Sequence, residues 1–489
     1  MQELLDAFTY LTQPYPLFLL VLGTILGIVV GAMPGLTGAM LISLTVPLTF
    51  GMEGVDALIL LVSMYVGSVS GGLITATLLR MPGTPASMMT TLDGYPMALA
   101  GKPGRALGLG ISASAFGGIV SWFFLLLLAK PMANISTQLS PFDLFALVMT
   151  ALVLIASVSG KSLAAGIFAG LLGMLFSVPG TSPIGDIRWT GGFTQLNDGF
   201  KLLPVLIGLY AISQIVQDIL KIDEKGEAIP MNRTGMFMSL KDWTSQGFNL
   251  IRSSLLGTWI GLLPGIGANI GSVVAYTAAK NSSKTPEEFG NGSEEGIVAS
   301  EAANNATVGG ALIPLIALGI PGSVIDAILL GALMIHNVQP GPLLFKNNPL
   351  EVNVMIATVL VANIVMALFM VLFAGVLAKL MYVPRSILLP VILACCVIGS
   401  FALSNRGFDV AVMLGFGAIG YVMQRLKIPL APFVIGFVLA PIAENNLVEG
   451  LMASGGSYLP LVTKPVSLTF LIIAAALLIL TVRKHFNEK

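Results

Sequence analysis

Gly27-Ile-Val-Val-Gly31-Ala-Met-Pro34-Gly35 and Gly257-Thr-Trp-Ile-Gly261-Leu-Leu-Pro264-Gly265 write one spacing twice, Gly-x3-Gly-x2-Pro-Gly. Both copies sit inside charge-free stretches, between Asp6 and Glu53 and from Ser253 to Ala279. A membrane-spanning helix needs about 20 apolar residues, so each Pro-Gly pair falls at membrane depth. Proline removes a backbone donor, and glycine admits conformations other residues avoid. A helix interrupted there is tolerated only when buried in protein or facing a wet cavity. The landmarks continue in the same order. Gly71-Gly72 precedes Pro82-Gly83, Gly309-Gly310 precedes Pro321-Gly322, and Pro103-Gly104 pairs with Pro340-Gly341. Paired broken helices in corresponding halves are the sequence mark of a transporter's binding site.

Composition agrees. Of 489 residues, 55% are hydrophobic and 10% charged, with 24 Lys+Arg against 24 Asp+Glu and 2 His. A soluble domain carries about 25% charge, and a nucleic-acid binder needs a basic surface. The expected partners therefore include a lipid bilayer and exclude nucleic acid. Cys395 and Cys396 are adjacent, without metal-ligand spacing, and read as small buried residues. The opening residues MQELLDAF lack the basic region of a cleaved signal peptide.

Further charge-free stretches run 57–79, 106–129, 144–160, 162–185 and 202–217, then 302–325, 352–378, 386–405, 410–424, 428–443 and 465–482. The expected fold is an all-α polytopic membrane protein of two related halves, with re-entrant or broken helices and about 11–12 membrane segments. Residues 1–220 form the first membrane repeat with scaffold helices, and 221–252 a polar cytoplasmic linker. Residues 253–464 form the second repeat, and 465–489 a C-terminal membrane helix with a short basic tail. Loop charge orients the halves. Gly51–Asp56 has no Lys or Arg, whereas its counterpart around Lys280–Glu301 has Lys280 and Lys284. Arg80, Lys102 and Arg105 flank the second Pro-Gly of the first half, but only Lys346 that of the second. This reversal reads as inverted repeats, with a periplasmic N-terminus and a cytoplasmic C-terminus.

The chain resembles the large membrane subunit of the tripartite tricarboxylate transporters, the TctA family. The stretches that carry this are Gly31-Ala-Met-Pro-Gly-Leu-Thr-Gly38, Met81-Pro-Gly-Thr-Pro-Ala86, Thr90-Thr-Leu-Asp-Gly-Tyr-Pro96, Pro264-Gly-Ile-Gly267, Pro286-Glu-Glu-Phe-Gly290, Glu301-Ala-Ala-Asn-Asn-Ala306, and Gly319-Ile-Pro-Gly322 through His336 to Pro342-Leu-Leu-Phe345. The resemblance covers roughly residues 15–445. It implies a multi-pass permease of the bacterial inner membrane. It also implies a small membrane subunit, a periplasmic solute-binding protein, and uptake of tricarboxylates or related carboxylates driven by an ion gradient. No cofactor is expected beyond a coupling Na⁺ or H⁺, and a homodimer is left open. Asp326 and Asn269 depart from the family pattern, which points to a different substrate or coupling ion.

A carboxylate in a low-dielectric site needs hydrogen-bond donors, and helix N-termini supply them. The substrate-binding candidates are Gly35, Thr37, Gly38, Thr84, Ser87, Gly265, Gly267, Asn269 and Ser323. Gly27, Gly31, Gly257 and Gly261 fit helix packing instead. The hydroxyls of Thr84, Ser87 and Ser323 suit helix capping equally well. For the ion, the candidates are Asn304, Asn305, Thr307 and Asp326, with Ser68 and Ser70 in the first half; the tandem amides suit helix capping as well, and Asp326 an interfacial helix end. Asp93 reads as a turn former, Arg80 as a substrate partner or a basic anchor, and His336 as a satisfied loop histidine. An enzyme would need a nucleophile–base pair or metal ligands, and none is present. A passive carboxylate channel is the remaining alternative to elevator-like secondary transport.

Overall fold

The computed structural model describes residues 2–33, 36–81, 84–158, 163–220, 229–230, 233–264, 267–380, 385–402 and 404–487. Most of it is helical. The first helices are α1 (Gln2–Leu11), α2 (Pro14–Gly31), α3 (Gly38–Thr45), α4 (Gly54–Leu78), α5 (Met88–Leu99) and α6 (Pro103–Ser136). Next come α7 (Pro141–Val158), α8 (Leu163–Ser177), the two-residue strands β1 (Gly180–Thr181) and β2 (Ile187–Arg188), α9 (Leu202–Leu206) and α10 (Ser213–Ile219). The second half has α11 (Leu240–Leu262), α12 (Gly267–Ser282), α13 (Glu294–Leu318), α14 (Val324–Ile335), α15 (Leu344–Asn347) and α16 (Pro349–Leu380). Last are α17 (Arg385–Ala402), α18 (Gly407–Arg425), α19 (Leu430–Ala453), α20 (Leu459–Thr463) and α21 (Pro465–Asn487). Among the described residues seven helices are long and apolar enough to cross a membrane, and six shorter ones are apolar.

The chain falls into two compact units. One comprises Met1–Met132, Asp218–Leu263 and Gly267–Ile392. The other is built mainly from Ala133–Gln217 and Leu393–Lys489.

Two helices form the heart of the first unit. Every residue of α4 from Val55 to Leu78 is buried, and every residue of α13 from Gly296 to Ala317. A helix apolar nearly all round, as α4 is, belongs in such an interior, whereas α13 also carries Glu301, Asn304 and Asn305 into it. α2 packs along α4 in the same direction. A Cβ at Gly27 would lie 2.4 Å from the Met64 carbonyl, and one at Gly31 2.3 Å from that of Ser68. α11 repeats this on α13, where Gly257 faces the Ala303 carbonyl at 2.3 Å and Gly261 that of Thr307 at 2.6 Å. These glycines are therefore packing residues, as their small-xxx-small spacing indicates.

Because α2 runs parallel to α4, the segment between them must come back. α3 does so, starting with Gly38 against Ser68. In the second half α12 returns along α13. Gly271 lies at Thr307, Ser272 bonds the Ser300 carbonyl at 3.3 Å, and Tyr276 lies at Gly296. The residues flanking each break, Gly31 and Gly38 at Ser68 and Gly261 and Gly271 at Thr307, thus sit beside the buried length of a central helix rather than beyond its end.

α11 begins at Leu240, inside the polar stretch expected to be linker. Ser239 and Asp242 form a reciprocal capping box there, which gives the helix a defined start ahead of its apolar part.

In the second unit, small residues again set helix contacts. Gly173 on α8 faces the Phe433 carbonyl of α19, and Gly208 faces that of Met413 on α18. Phe176, Phe200, Phe416 and Phe433 pack with ring centroids 5.2–6.2 Å apart, three of the pairs edge to face and two tilted. Arg188 pairs with Glu444 at 2.5 Å.

Candidate functional site

The Pro34-Gly35, Pro82-Gly83 and Gly265-Ile266 pairs lie outside the described residues, so Gly35 and Gly265 are placed only through their neighbours. Those neighbours converge. Thr37 caps α3, its hydroxyl accepting from the Met40 amide at 3.2 Å. Gly38 presses on the Ser68 hydroxyl and on Ile325 of the other half. Thr84 and Ser87 share a hydrogen bond of 3.0 Å and sit directly over Gly72, where a Cβ would lie 2.8 Å from the Thr84 hydroxyl. The mirrored element behaves alike. Gly267 opens α12 with φ +65 and faces Ser323. Ser323 caps α14 and meets the Tyr65 hydroxyl at 3.2 Å. Asn269 is exposed in the first turn of α12.

Of the ion candidates, hydrogen bonds join Ser70 to Asn305 and Thr307 to Asn304, while Asp326 stands apart from them. Ser70 donates to Asn305 Oδ1 at 2.6 Å, and Asn304 Nδ2 donates to the Val69 carbonyl at 3.3 Å. Ser68 and Thr307 bond the backbone of their own helices, to Tyr65 O at 3.0 Å and Asn304 O at 2.6 Å. Asp326 is fully buried, and neither carboxylate oxygen has a hydrogen-bond partner. Every described candidate lies in the first unit. Glu301, recognised in the sequence only as part of a motif, is also fully buried there. It accepts from Thr90 at 2.5 Å and Ser114 at 3.1 Å.

Three residues around this centre have other work. Asp93 is no loop turn former: it is buried within α5. Its Oδ1 accepts the amides of Gly290, Gly292 and Ser293 at 2.8, 3.0 and 2.8 Å, and its Oδ2 the Tyr276 hydroxyl at 2.8 Å. It thus ties down the loop entering α13. His336 bonds Thr49 at 2.9 Å, which satisfies a ring nitrogen as expected. Arg80 is exposed, with φ +57, and lies over the Tyr95 ring at 5.7 Å.

Sequence reading did not find the Arg105 clamp. Arg105 reaches both Asp242 oxygens at 2.7 Å, and Glu294 at 2.6 and 2.8 Å. It joins the starts of α6, α11 and α13. The guanidinium, with help from Ser239, holds the Asp242 carboxyl well below the ordinary aspartate range.

The sequence profile of the tripartite tricarboxylate transporter TctA family matches residues 17–435, nearly all of the stretch holding this centre. The chain belongs to this family. It is thus a membrane component of a tripartite tricarboxylate transporter and not an enzyme. A small membrane subunit and a periplasmic binding protein are its implied partners. Two Agrobacterium vitis proteins are similar. One, an uncharacterized 52.8 kDa protein in the TAR-I ttuC' 3' region, is 30% identical across 96% of this chain and 93% of its own length. The other, an uncharacterized protein in the TAR-II ttuC' 3' region, is 33% identical over 48% of this chain and 96% of its own. No solved structure matches. In this TctA-family chain the matched region contains both broken-helix elements and every site candidate.

Proposed function

We propose that the chain is the permease of a binding-protein-dependent secondary transporter that takes up tricarboxylates or related organic carboxylates across the bacterial inner membrane. The observation that carries this is the meeting of two like elements in one unit. The helix starts at Gly38, Ser87, Gly267 and Ser323 all lie against α4, α13 or each other. Helix N-termini offer unpaired amides and a positive dipole end, which suits an anion without a buried basic residue. The residues proposed to contact it are Gly35, Thr37, Gly38, Thr84, Ser87, Gly265, Gly267, Asn269 and Ser323.

An ion gradient drives accumulation, with Na⁺ or H⁺ held among Asn304, Asn305, Thr307, Asp326, Ser68 and Ser70. The halves are inverted repeats, with the N-terminus periplasmic and the C-terminus cytoplasmic. The two Pro-Gly elements move, elevator-like, against a more static scaffold, 144–220 and 352–482, which bears the small subunit and any homodimer contact. A compact unit that takes in Ala133–Gln217 and Leu393–Lys489 holds most of that scaffold, which supports the reading.

The test is uptake of labelled citrate into proteoliposomes holding the chain, its small subunit and the binding protein. Accumulation against the substrate gradient, dependent on an imposed Na⁺ or H⁺ gradient, is expected. Flux that only runs downhill would make the protein a channel and overturn the proposal.

A further inference from the structure

We infer that Glu301, with Asn304 one turn along α13, forms a Na⁺ site whose charged ligand is the Glu301 carboxylate. This rests on the transporter reading above and assigns its coupling ion a place.

Among the described residues, every buried side chain with a formal charge is an aspartate or a glutamate; no buried lysine, arginine or histidine faces them. Glu301 is fully enclosed and makes no ion pair among the described residues. A carboxylate carried to membrane depth without a cation is costly. Its two oxygens are held by hydroxyls from separate helices, Thr90 of α5 and Ser114 of α6. Thr90 in turn meets the Ser300 hydroxyl at 2.9 Å.

The second observation is independent. Asn304 follows Glu301 by three residues on α13, so the two side chains share one face of the helix. Its Nδ2 donates to the Val69 carbonyl, but its Oδ1 is buried with no donor at all. An orphaned amide oxygen costs about 1–3 kcal/mol, so a pair of deficits stands side by side: an uncompensated negative charge and an unsatisfied oxygen. One hard monovalent cation removes both, because such ions take carboxylate, amide and hydroxyl oxygens as ligands. Hydroxyls have two lone pairs and a rotatable proton, so Thr90 and Ser114 can turn to present oxygen. The site spans α5, α6 and α13, with α4 contributing the Val69 carbonyl that orients Asn304. Occupancy would therefore tie both repeats together.

The test is thermal unfolding of the purified chain in detergent, titrated with NaCl against choline chloride at constant ionic strength. Wild type is expected to show a saturable, Na⁺-specific rise in Tm. Ser114→Ala should keep the rise but need about tenfold more Na⁺. Glu301→Gln should remain folded and lose it. Wild-type half-saturation in Glu301→Gln overturns the site. A wild-type Tm that follows pH but not Na⁺ assigns the position to a proton and also overturns it. The readout is separate from uptake. Gradient-driven citrate accumulation without a Na⁺ shift sinks this site and leaves the transporter reading standing. A Na⁺ shift abolished in Glu301→Gln, with no accumulation in proteoliposomes, does the reverse.

Discussion

The Ser70 hydroxyl donates to the Asn305 amide oxygen at 2.6 Å, joining the middle of α4 to the middle of α13. The same hydroxyl lies 3.2 Å from the Val66 carbonyl. It has one proton to give, and the shorter contact takes it. Each repeat thus supplies one partner of a fully buried bond at the centre of the candidate site.

Removing that donor should be felt. Ser70→Ala leaves Asn305 Oδ1 enclosed and unsatisfied, a loss of about 1–3 kcal/mol. Interhelical hydrogen bonds between membrane helices average nearer 0.6 kcal/mol, so the lower half of that range is expected. A double-mutant cycle of Ser70→Ala with Asn305→Ala, read by thermal unfolding, should show coupling of about 0.5–1.5 kcal/mol. Strict additivity would mean the two side chains do not meet.

The Arg105 clamp makes a pH prediction. Arg105 holds the Asp242 carboxyl below its ordinary range, so the folded state keeps it charged more readily than the unfolded chain does. A depressed acid adds stability that is complete above the unfolded value, about 3.9, and is lost as pH falls through the folded value. Asp242→Asn should therefore lower Tm at pH 7 by the same amount as at pH 6. The gap to wild type should narrow only below about pH 4. A gap that already closes between pH 7 and pH 5 would show that another group titrates there.

The inverted arrangement of the halves is open to a direct measurement. Glu53 and Glu287 are both exposed, ahead of α4 and ahead of α13 respectively. In a background carrying Cys395→Ser and Cys396→Ser, Glu53→Cys and Glu287→Cys should react with a membrane-impermeant thiol reagent from opposite faces of the membrane. Labelling of both from one face would rule out inversion.

The broken helices and their packing glycines were legible because their signal is local. Gly27 and Gly31 face α4 for the reason their spacing states. Partnerships across the chain were not. Arg105 finds Asp242 and Glu294 at separations of 137 and 189 residues, and nothing local distinguishes it from an ordinary basic residue at a membrane edge. Asp93-Gly94 has turn chemistry in isolation. Only the approach of the 290–293 loop turns Asp93 into a buried anchor. Glu301 lacks any sequence neighbour that explains it, since its partners Thr90 and Ser114 come from α5 and α6.

The glycines allow stability and binding to be separated. At Gly27 a Cβ would lie 2.4 Å from the Met64 carbonyl, and at Gly257 2.3 Å from that of Ala303. Both obstacles are backbone, so the helices must part. Overpacking of this kind costs about 1–3 kcal/mol, and Gly27→Ala and Gly257→Ala should lower Tm while citrate affinity stays near wild type. Gly72→Ala differs. Its Cβ would meet the Ser87 hydroxyl at 2.4 Å and the Thr84 hydroxyl at 2.8 Å, both of which can rotate, and the Thr84 amide at 3.0 Å. The expected result is a modest Tm change with about tenfold weaker citrate binding. Gly35→Val and Gly265→Val each remove an amide approach to the anion. A charge-assisted hydrogen bond is worth about 1.5–3 kcal/mol, so each should weaken binding by about 10- to 100-fold. Isothermal titration and thermal unfolding on the five variants decide the matter. If Gly35→Val, Gly265→Val and Gly72→Ala bind citrate as wild type does and lose only stability, the substrate lies elsewhere than at these helix starts.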